Sequence, residues 1–386
     1  MSDADKVLPC CEGRMDEARG KQTFDEWWTG DLFKDIRQKM LDGEPHEICT
    51  RCMAVEKNGG LNARAGYKQT ADQWEIDNNA KLLYNVDNGT QLAAPIALDY
   101  RGSNLCNLKC RMCHPSNSSA IAKEMLAHDE YANLGYKASP EQLFKRGSRN
   151  TFIDTIPLDN IIWFKILGGE PLMQNEVYQA LDIMLTKNPM MTNVVITTNG
   201  TAFTDRFLSY LDKFKSFSIR ISLDGINETQ EYVRTNGDWQ KIMDNCNKLA
   251  KLANTNPSIR VGFSFVVQAY NAFQLGDIAR FCIRWNDEHE WKLPFFAPVD
   301  QDWMSTAILT TEDVSSIVQT LNDVMQEYPD NAVAPKILEI VTQFDARREF
   351  DRDQGNAQWV AYTTMQDTIR NTDISTIDKR FTKYIK

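Results

Sequence analysis

The chain has 386 residues, with 43 Lys and Arg against 53 Asp and Glu and a formal net charge of -10. That length allows a large buried core and more than one structural unit, while the acidic balance disfavours a broad electrostatic grip on nucleic acid. No stretch approaches the roughly 18 uninterrupted apolar residues of a membrane helix, and the opening M-S-D-A-D-K lacks the apolar heart of an export signal, so a cytoplasmic protein away from membranes is expected.

Residues 1–91 are polar, contain glycine and are short on strand patterns. Within them 24–40 reads as one amphipathic helix. Residues 85–94, rich in Asn, Asp and Gly, read as a linker. Residues 92–300 alternate strand and helix signals. The strand candidates are 96–100, 161–167, 193–198, 217–223, 259–267 and, more weakly, 293–299. Helical periods fall between them at 175–185, 204–214 behind a Thr cap, 238–252 and 273–285. Near-continuous apolar strands alternating with helices predict a parallel sheet buried on both faces. Six strands suit a partial barrel or a doubly wound open sheet, and periodicity does not choose between them. From 301 the strand signal ends. Thr311-Glu312-Asp313 opens a helix with acidic residues in its first turn, and 301–386 reads as a helical cover.

Nine cysteines are the unusual feature. An odd number in a long chain without an export signal suits metal ligation better than a disulfide framework. Cys246 and Cys282 stand alone in helical stretches and read as small buried hydrophobes. Cys106, Cys110 and Cys113 form a C-x3-C-x2-C group directly after the first strand. Three thiolates can hold three irons of a [4Fe–4S] cube and leave the fourth iron open; a conventional cluster takes four cysteines, and zinc usually takes two Cys pairs or Cys with His. His114 is adjacent to Cys113, where a tetrahedral site would be strained. The later strands end in Gly168-Gly169-Glu170-Pro171, Thr197-Thr198-Asn199-Gly200, Ser222-Leu223-Asp224-Gly225, and Gln268 with Asn271 beyond. Each alone reads as a turn. In a parallel sheet all of them share the edge where ligands bind.

Together these motifs are similar to those of the radical S-adenosylmethionine (SAM) enzymes, and among them to proteins with a twitch or SPASM-like accessory module. The residues that carry the resemblance are S-N-L-C-N-L-K-C-R-M-C-H-P at 103–115, L-G-G-E-P at 167–171, T-T-N-G at 197–200 and S-L-D-G at 222–225. E-I-C-T-R-C-M-A-V-E-K-N-G-G at 47–60 matches more weakly. The resemblance implies an α/β fold. Residues 92–300 would form a partial (β/α)6 TIM-like barrel, 1–91 an N-terminal cysteine-bearing metal-binding module, and 301–386 a C-terminal helical extension. It implies that Cys106, Cys110 and Cys113 hold a catalytic [4Fe–4S] cluster. Gly168 and Gly169 would let backbone carbonyls approach the methionyl ammonium of SAM, with Glu170 as a further acceptor. Met112 would lie against the adenine, and Arg234 would clamp a carboxylate. Ser222, opposite in alternation to Ile219, Ile221 and Leu223, would bond the ribose or carboxylate. Thr198, Asn199, Gln268 and Asn271 would line the adenosine site. Cys49 and Cys52, a C-x2-C pair, would join Cys10 and Cys11 around a second Fe–S cluster, with zinc as the alternative. The activity implied is reductive cleavage of SAM to a 5′-deoxyadenosyl radical and hydrogen abstraction, fed by an electron donor such as flavodoxin or ferredoxin. A peptide or protein is the first expectation for substrate and a nucleotide or other small molecule the second. The competing class is a non-catalytic zinc-binding interaction module.

Overall fold

The protein is described by a computed structural model covering residues 23–57, 64–66, 68–69, 72, 86–87, 90–91, 95–144, 153, 156–292, 294–345 and 350–385. Six strands form one sheet: β1 (Ala97–Arg101), β2 (Trp163–Leu167), β3 (Asn193–Thr198), β4 (Ser216–Ser222), β5 (Ile259–Val267) and β6 (Phe295–Pro298). Each pairs in parallel with the next in sequence, and no strand is skipped. A doubly wound sheet reverses its winding at a switch point, whereas a barrel winds one way. The uninterrupted order therefore decides for the partial barrel, with β1 and β6 at its two edges.

The strands alternate more than their sequences suggest. In β3, Val194 and Ile196 are buried while Asn193, Val195 and Thr197 are half-buried, and β2 repeats the pattern. The expectation of burial on both faces is corrected. One face packs under helices; the residues of the other are half-buried along β2 and β3. Helix Asn175–Leu185 lays Val177, Ala180, Leu181 and Met184 on the outer face. Helix Trp239–Thr255, capped by the Asp238 side chain on the Lys241 N–H, adds Ile242, Cys246 and Leu249. Helix Leu275–His289 adds Leu275, Ile278, Ala279 and Cys282. Each large apolar side chain so buried contributes about 1.5–3 kcal/mol. Cys246 and Cys282 are both fully buried.

Three local expectations change. The helix at 24–40 is two, Phe24–Trp28 and Asp31–Leu41, broken at Thr29-Gly30. Gly30 is extended there, and a Cβ would lie 2.6 Å from the Glu26 carbonyl oxygen. At 204–214 Thr204 caps as expected, but the helix is one turn, Asp205–Leu208, before the chain enters β4. The linker at 85–94 contains a small antiparallel pairing of Val86–Asp87 with Thr90–Gln91. C-terminal helices Thr311–Glu327, Val333–Asp345 and Arg352–Arg370 follow. Pro335 sits in the first turn of the second, where its missing N–H costs nothing.

Candidate active site

The cysteine loop leaves β1 and is pinned at once. Ser103 N–H donates to Gln174 Oε1 at 2.7 Å. Gly169 N–H donates to the Ser103 carbonyl at 3.0 Å and Glu170 N–H to the Leu105 carbonyl at 2.7 Å. The glycine pair is required by this contact. A Cβ on Gly169 would lie 2.3 Å from the Leu105 oxygen, and Gly168 has φ +121°. Cys106 N–H donates to Ser119 Oγ at 3.2 Å. Lys109 and Cys110 pair antiparallel with Thr235 and Arg234, and Arg111 N–H reaches the Val233 carbonyl at 2.9 Å. Cys113 N–H closes the turn on the Cys110 carbonyl at 3.0 Å.

All three thiols are free. Burial pushes each up, Cys106 to about 12, and the nearby thiols push Cys106 and Cys113 further. Ligation would reverse this by removing the protons. Among the described residues no three His, Cys, Asp or Glu side chains close on one point as a single metal ion needs. A cube takes one thiolate on each of three irons, so its ligands stand apart around a space. Three neighbouring, unpaired thiols on one loop fit that donor set.

The other strand ends converge on this loop. Glu170 is fully buried, and both its oxygens are engaged. Oε1 accepts from Leu172 N–H at 3.1 Å and Thr198 Oγ1 at 2.7 Å; Oε2 accepts from Asn199 N–H at 2.7 Å. Burial raises its carboxyl above the usual range against these bonds. Asn199 Nδ2 donates to Asn107 Oδ1 at 2.9 Å, and Asn107 Nδ2 donates to Thr201 Oγ1 at 3.0 Å, which ties the T-T-N-G turn to the cysteine loop. Arg234 is neither exposed nor isolated. Its Nε donates to the fully buried Asp224 at 2.7 Å, and its Nη1 lies 3.8 Å from Cys110 Sγ. Burial disfavours its charge, yet Asp224 holds the guanidinium above its ordinary pKa. Asp224, which the sequence showed only as part of a D-G turn, is thus the anchor of this arginine. An acidic residue between buried Leu223 and Gly225 at a sheet end was the available signal.

Ser222 is half-buried on the inner face, as its alternation requires. Met112 is half-buried beside Cys113, and its carbonyl lies 3.5 Å from Gln301 Nε2. Gln268 and Asn271 are buried and serve the turn after β5. Gln268 N–H donates to Asn271 Oδ1 at 3.0 Å, and Asn271 Nδ2 donates to the Asp224 and Val266 carbonyls. Gln268 Oε1 has no hydrogen-bond partner among the described residues.

Behind the loop lies a network that sequence reasoning missed. Arg111 is fully buried, with its guanidinium 3.6 Å from the Tyr232 ring centroid. It donates to Asp367 at 2.6 Å, Thr372 at 2.9 Å and the Tyr232 carbonyl at 3.1 Å. Lys109 and Arg370 both reach Glu124 at 2.6 Å. Two side chains of the cysteine loop are thereby joined, directly or through Glu124, to the C-terminal helix.

In the N-terminal region Cys49 ends the turn Glu47–Cys49 and Cys52 lies in helix Thr50–Lys57. The Arg64 guanidinium, paired with Glu56, is close enough to feel both thiols. Cys10 and Cys11 lie outside the described residues.

Residues 100–282 match the family model of the Radical SAM superfamily. The mycofactocin maturase MftC of Mycolicibacterium smegmatis is 25% identical over 206 residues, 53% of this chain and 45% of that protein. The sporulation killing factor maturation protein SkfB of Bacillus subtilis is 22% identical over 188 residues, 49% of this chain and 40% of that protein. The chain thus spans less than half the length of either relative. The crystal structure of Streptococcus suis SuiB bound to S-adenosylmethionine is similar at 16% identity and a TM-score of 0.39, covering 70% of this chain and 52% of that one.

Proposed function

We propose that this chain, which belongs to the Radical SAM superfamily through residues 100–282, cleaves SAM reductively and uses the resulting radical to modify a peptide. The observation that carries the reading is the set of three free thiols at the carboxyl edge of a one-way parallel half-barrel, locked to the G-G-E and T-T-N-G turns. Cys106, Cys110 and Cys113 would hold a [4Fe–4S] cluster. When bound, that cluster supplies the electron that breaks the sulfonium bond of SAM to give methionine and a 5′-deoxyadenosyl radical. The Gly168-Gly169 turn, kept against the loop by its N–H groups, leaves its carbonyls for the methionyl ammonium. Glu170 holds the Thr198-Asn199 turn in place. Arg234, fixed through Nε by Asp224, keeps the rest of its guanidinium beside Cys110, where the methionyl carboxylate would lie. Met112 and Ser222 would flank the nucleoside. The curved sheet would wall one side of the space in which the radical forms.

A peptide substrate is supported by the maturation proteins among the relatives. Cys49 and Cys52 supply two ligands toward a second cluster, and a low-potential carrier such as a flavodoxin or ferredoxin would deliver electrons. Anaerobic reconstitution with iron, sulfide, SAM and dithionite tests the reading. The expected products are 5′-deoxyadenosine and methionine, both lost in Cys110→Ala and retained at least in part in Cys49→Ala. A colourless protein binding only zinc, or a Cys110→Ala variant that still makes the nucleoside, would overturn it.

A further inference from the structure

The short antiparallel pairing that closes the cysteine loop sets Cys110 directly opposite Arg234. Side chains opposite each other in such a pair leave the same face, with Cβ atoms about 4.5–5.5 Å apart, so the register itself brings the guanidinium to the thiol. Arg234 Nη1 lies 3.8 Å from Cys110 Sγ. The guanidinium is held there, because its Nε donates to Asp224 Oδ2 at 2.7 Å and Asp224 Oδ1 accepts from the Val266 N–H at 2.8 Å. The Asp224 side chain is fully buried and that of Arg234 is 12% exposed, so water screens this cation poorly. The other two thiols are met differently. Cys106 Sγ accepts from the Leu108 N–H at 3.5 Å, and Cys113 Sγ donates to the His114 carbonyl at 3.7 Å. Among the described residues Cys110 alone of the three receives a charged donor. Burial acts most strongly on Cys110, and among the charges around it Arg234 comes first, Asp224 follows with the opposite sign and Arg370 comes third.

We propose that Arg234 sets the reduction potential of the cluster through Cys110, holding it higher than a neutral residue would, and that Asp224 trims this effect. The inference rests on the ligation of a cluster by Cys106, Cys110 and Cys113 argued above. Reduction adds one electron, taken from the carrier protein, to a cluster that three thiolates already make negative. The potential of such a cluster follows its net charge, the hydrogen bonds on its sulfurs and its exposure to solvent. A cation beside one sulfur stabilises the added electron, and in a buried site its effect is several-fold larger than in water. Asp224 works in the opposite sense. It fixes the arginine through Nε and offsets part of its charge, so the pair holds the potential between the values that either residue alone would give. An arginine that only held the strand pairing and Asp224 together would leave the potential where a neutral residue leaves it.

The test uses the cluster-reconstituted full chain without SAM and reads the midpoint potential from the electron paramagnetic resonance of the reduced cluster in a redox titration. Arg234→Gln is expected to lower the equilibrium constant for reduction at least about tenfold, a drop of about 59 mV for a one-electron couple. Arg234→Lys, which keeps the charge, should recover most of that loss. Asp224→Asn should move the potential upward, and it decides the matter by itself if Arg234→Gln takes up no iron. An unchanged or raised potential in Arg234→Gln, an Arg234→Lys variant no better than Arg234→Gln, or an unchanged or lowered potential in Asp224→Asn overturns the proposal. Shifts of opposite sign at two bonded residues are not what a general loosening of the site produces. A wild-type chain that binds no cluster overturns the functional reading and this inference together, whereas a chain that cleaves SAM at a potential indifferent to both residues overturns this inference alone.

Discussion

Gly169 shows how little freedom the site leaves at a single residue. Its Cα faces the Asn104-Leu105 backbone, with the Leu105 oxygen 2.3 Å from where a methyl would go. Backbone cannot swing aside as a side-chain tip can. Gly169→Ala is therefore expected to push the cysteine loop outward and to lower iron incorporation several-fold while the helical circular dichroism stays unchanged; full iron content in that variant would show the contact to be dispensable. The motif itself was legible, because glycine pairs at strand ends stand out. Its reason was not. The sequence suggested room for a ligand, and the structure shows that the cysteine loop already takes up the side-chain space. Arg234 teaches the same lesson from the other side. Its partner Asp224 is only ten residues away, but a bend and the helix Glu228–Val233 intervene, and no local periodicity predicts that they meet.

At the level of elements, the helix Arg352–Arg370 and the cysteine loop act as one unit. Arg111 and Asp367 are 256 residues apart in sequence and 2.6 Å apart in space. Removing one partner of a buried pair leaves the other charge uncompensated, at a cost of about 3–5 kcal/mol. Asp367→Asn is expected to lower stability by that order and to speed loss of iron to a chelator, measured by urea melts and by chelator-trapping kinetics; unchanged rates of iron loss would confine the pair to a stabilising role. Glu124 adds a pH dependence. Burial by itself would raise its carboxyl, but the bonds and charge of Arg370, then Lys109 and Tyr131, overrule burial and hold it at about 2. A depressed carboxyl stabilises the fold above its unfolded pKa of about 4.3, and that stability is lost as pH falls toward 2. Glu124→Gln should therefore melt below the wild type at pH 7, and the gap should close between about pH 4.5 and 2. A gap that stays constant across that range would rule out Glu124 as its source. The sequence indicated a helical cover after 301 without the bounds of Arg352–Arg370, and did not mark the helix Ser119–Ala127 that carries Glu124. Their docking was not legible either, since Arg111 reads as an ordinary polar loop residue until its partners arrive from the far end of the chain.

For the molecule as a whole, strand and helix identities came from apolar runs of strand length, from the 3.6 period and from a cap such as Thr204, all of which act within a few residues. The expectation of a cluster came from the spacing of three cysteines, also a local property. These the amino-acid order determined by itself, because each depends on neighbours along the chain. Tertiary structure alone decided that the six strands wind one way, and that one face of the sheet stays only half-buried. It also decided that the cysteine loop is braced by a helix from the opposite end. Strand order, curvature and buried ion pairs depend on which distant segments meet, and that follows from packing the whole core rather than from any stretch of sequence.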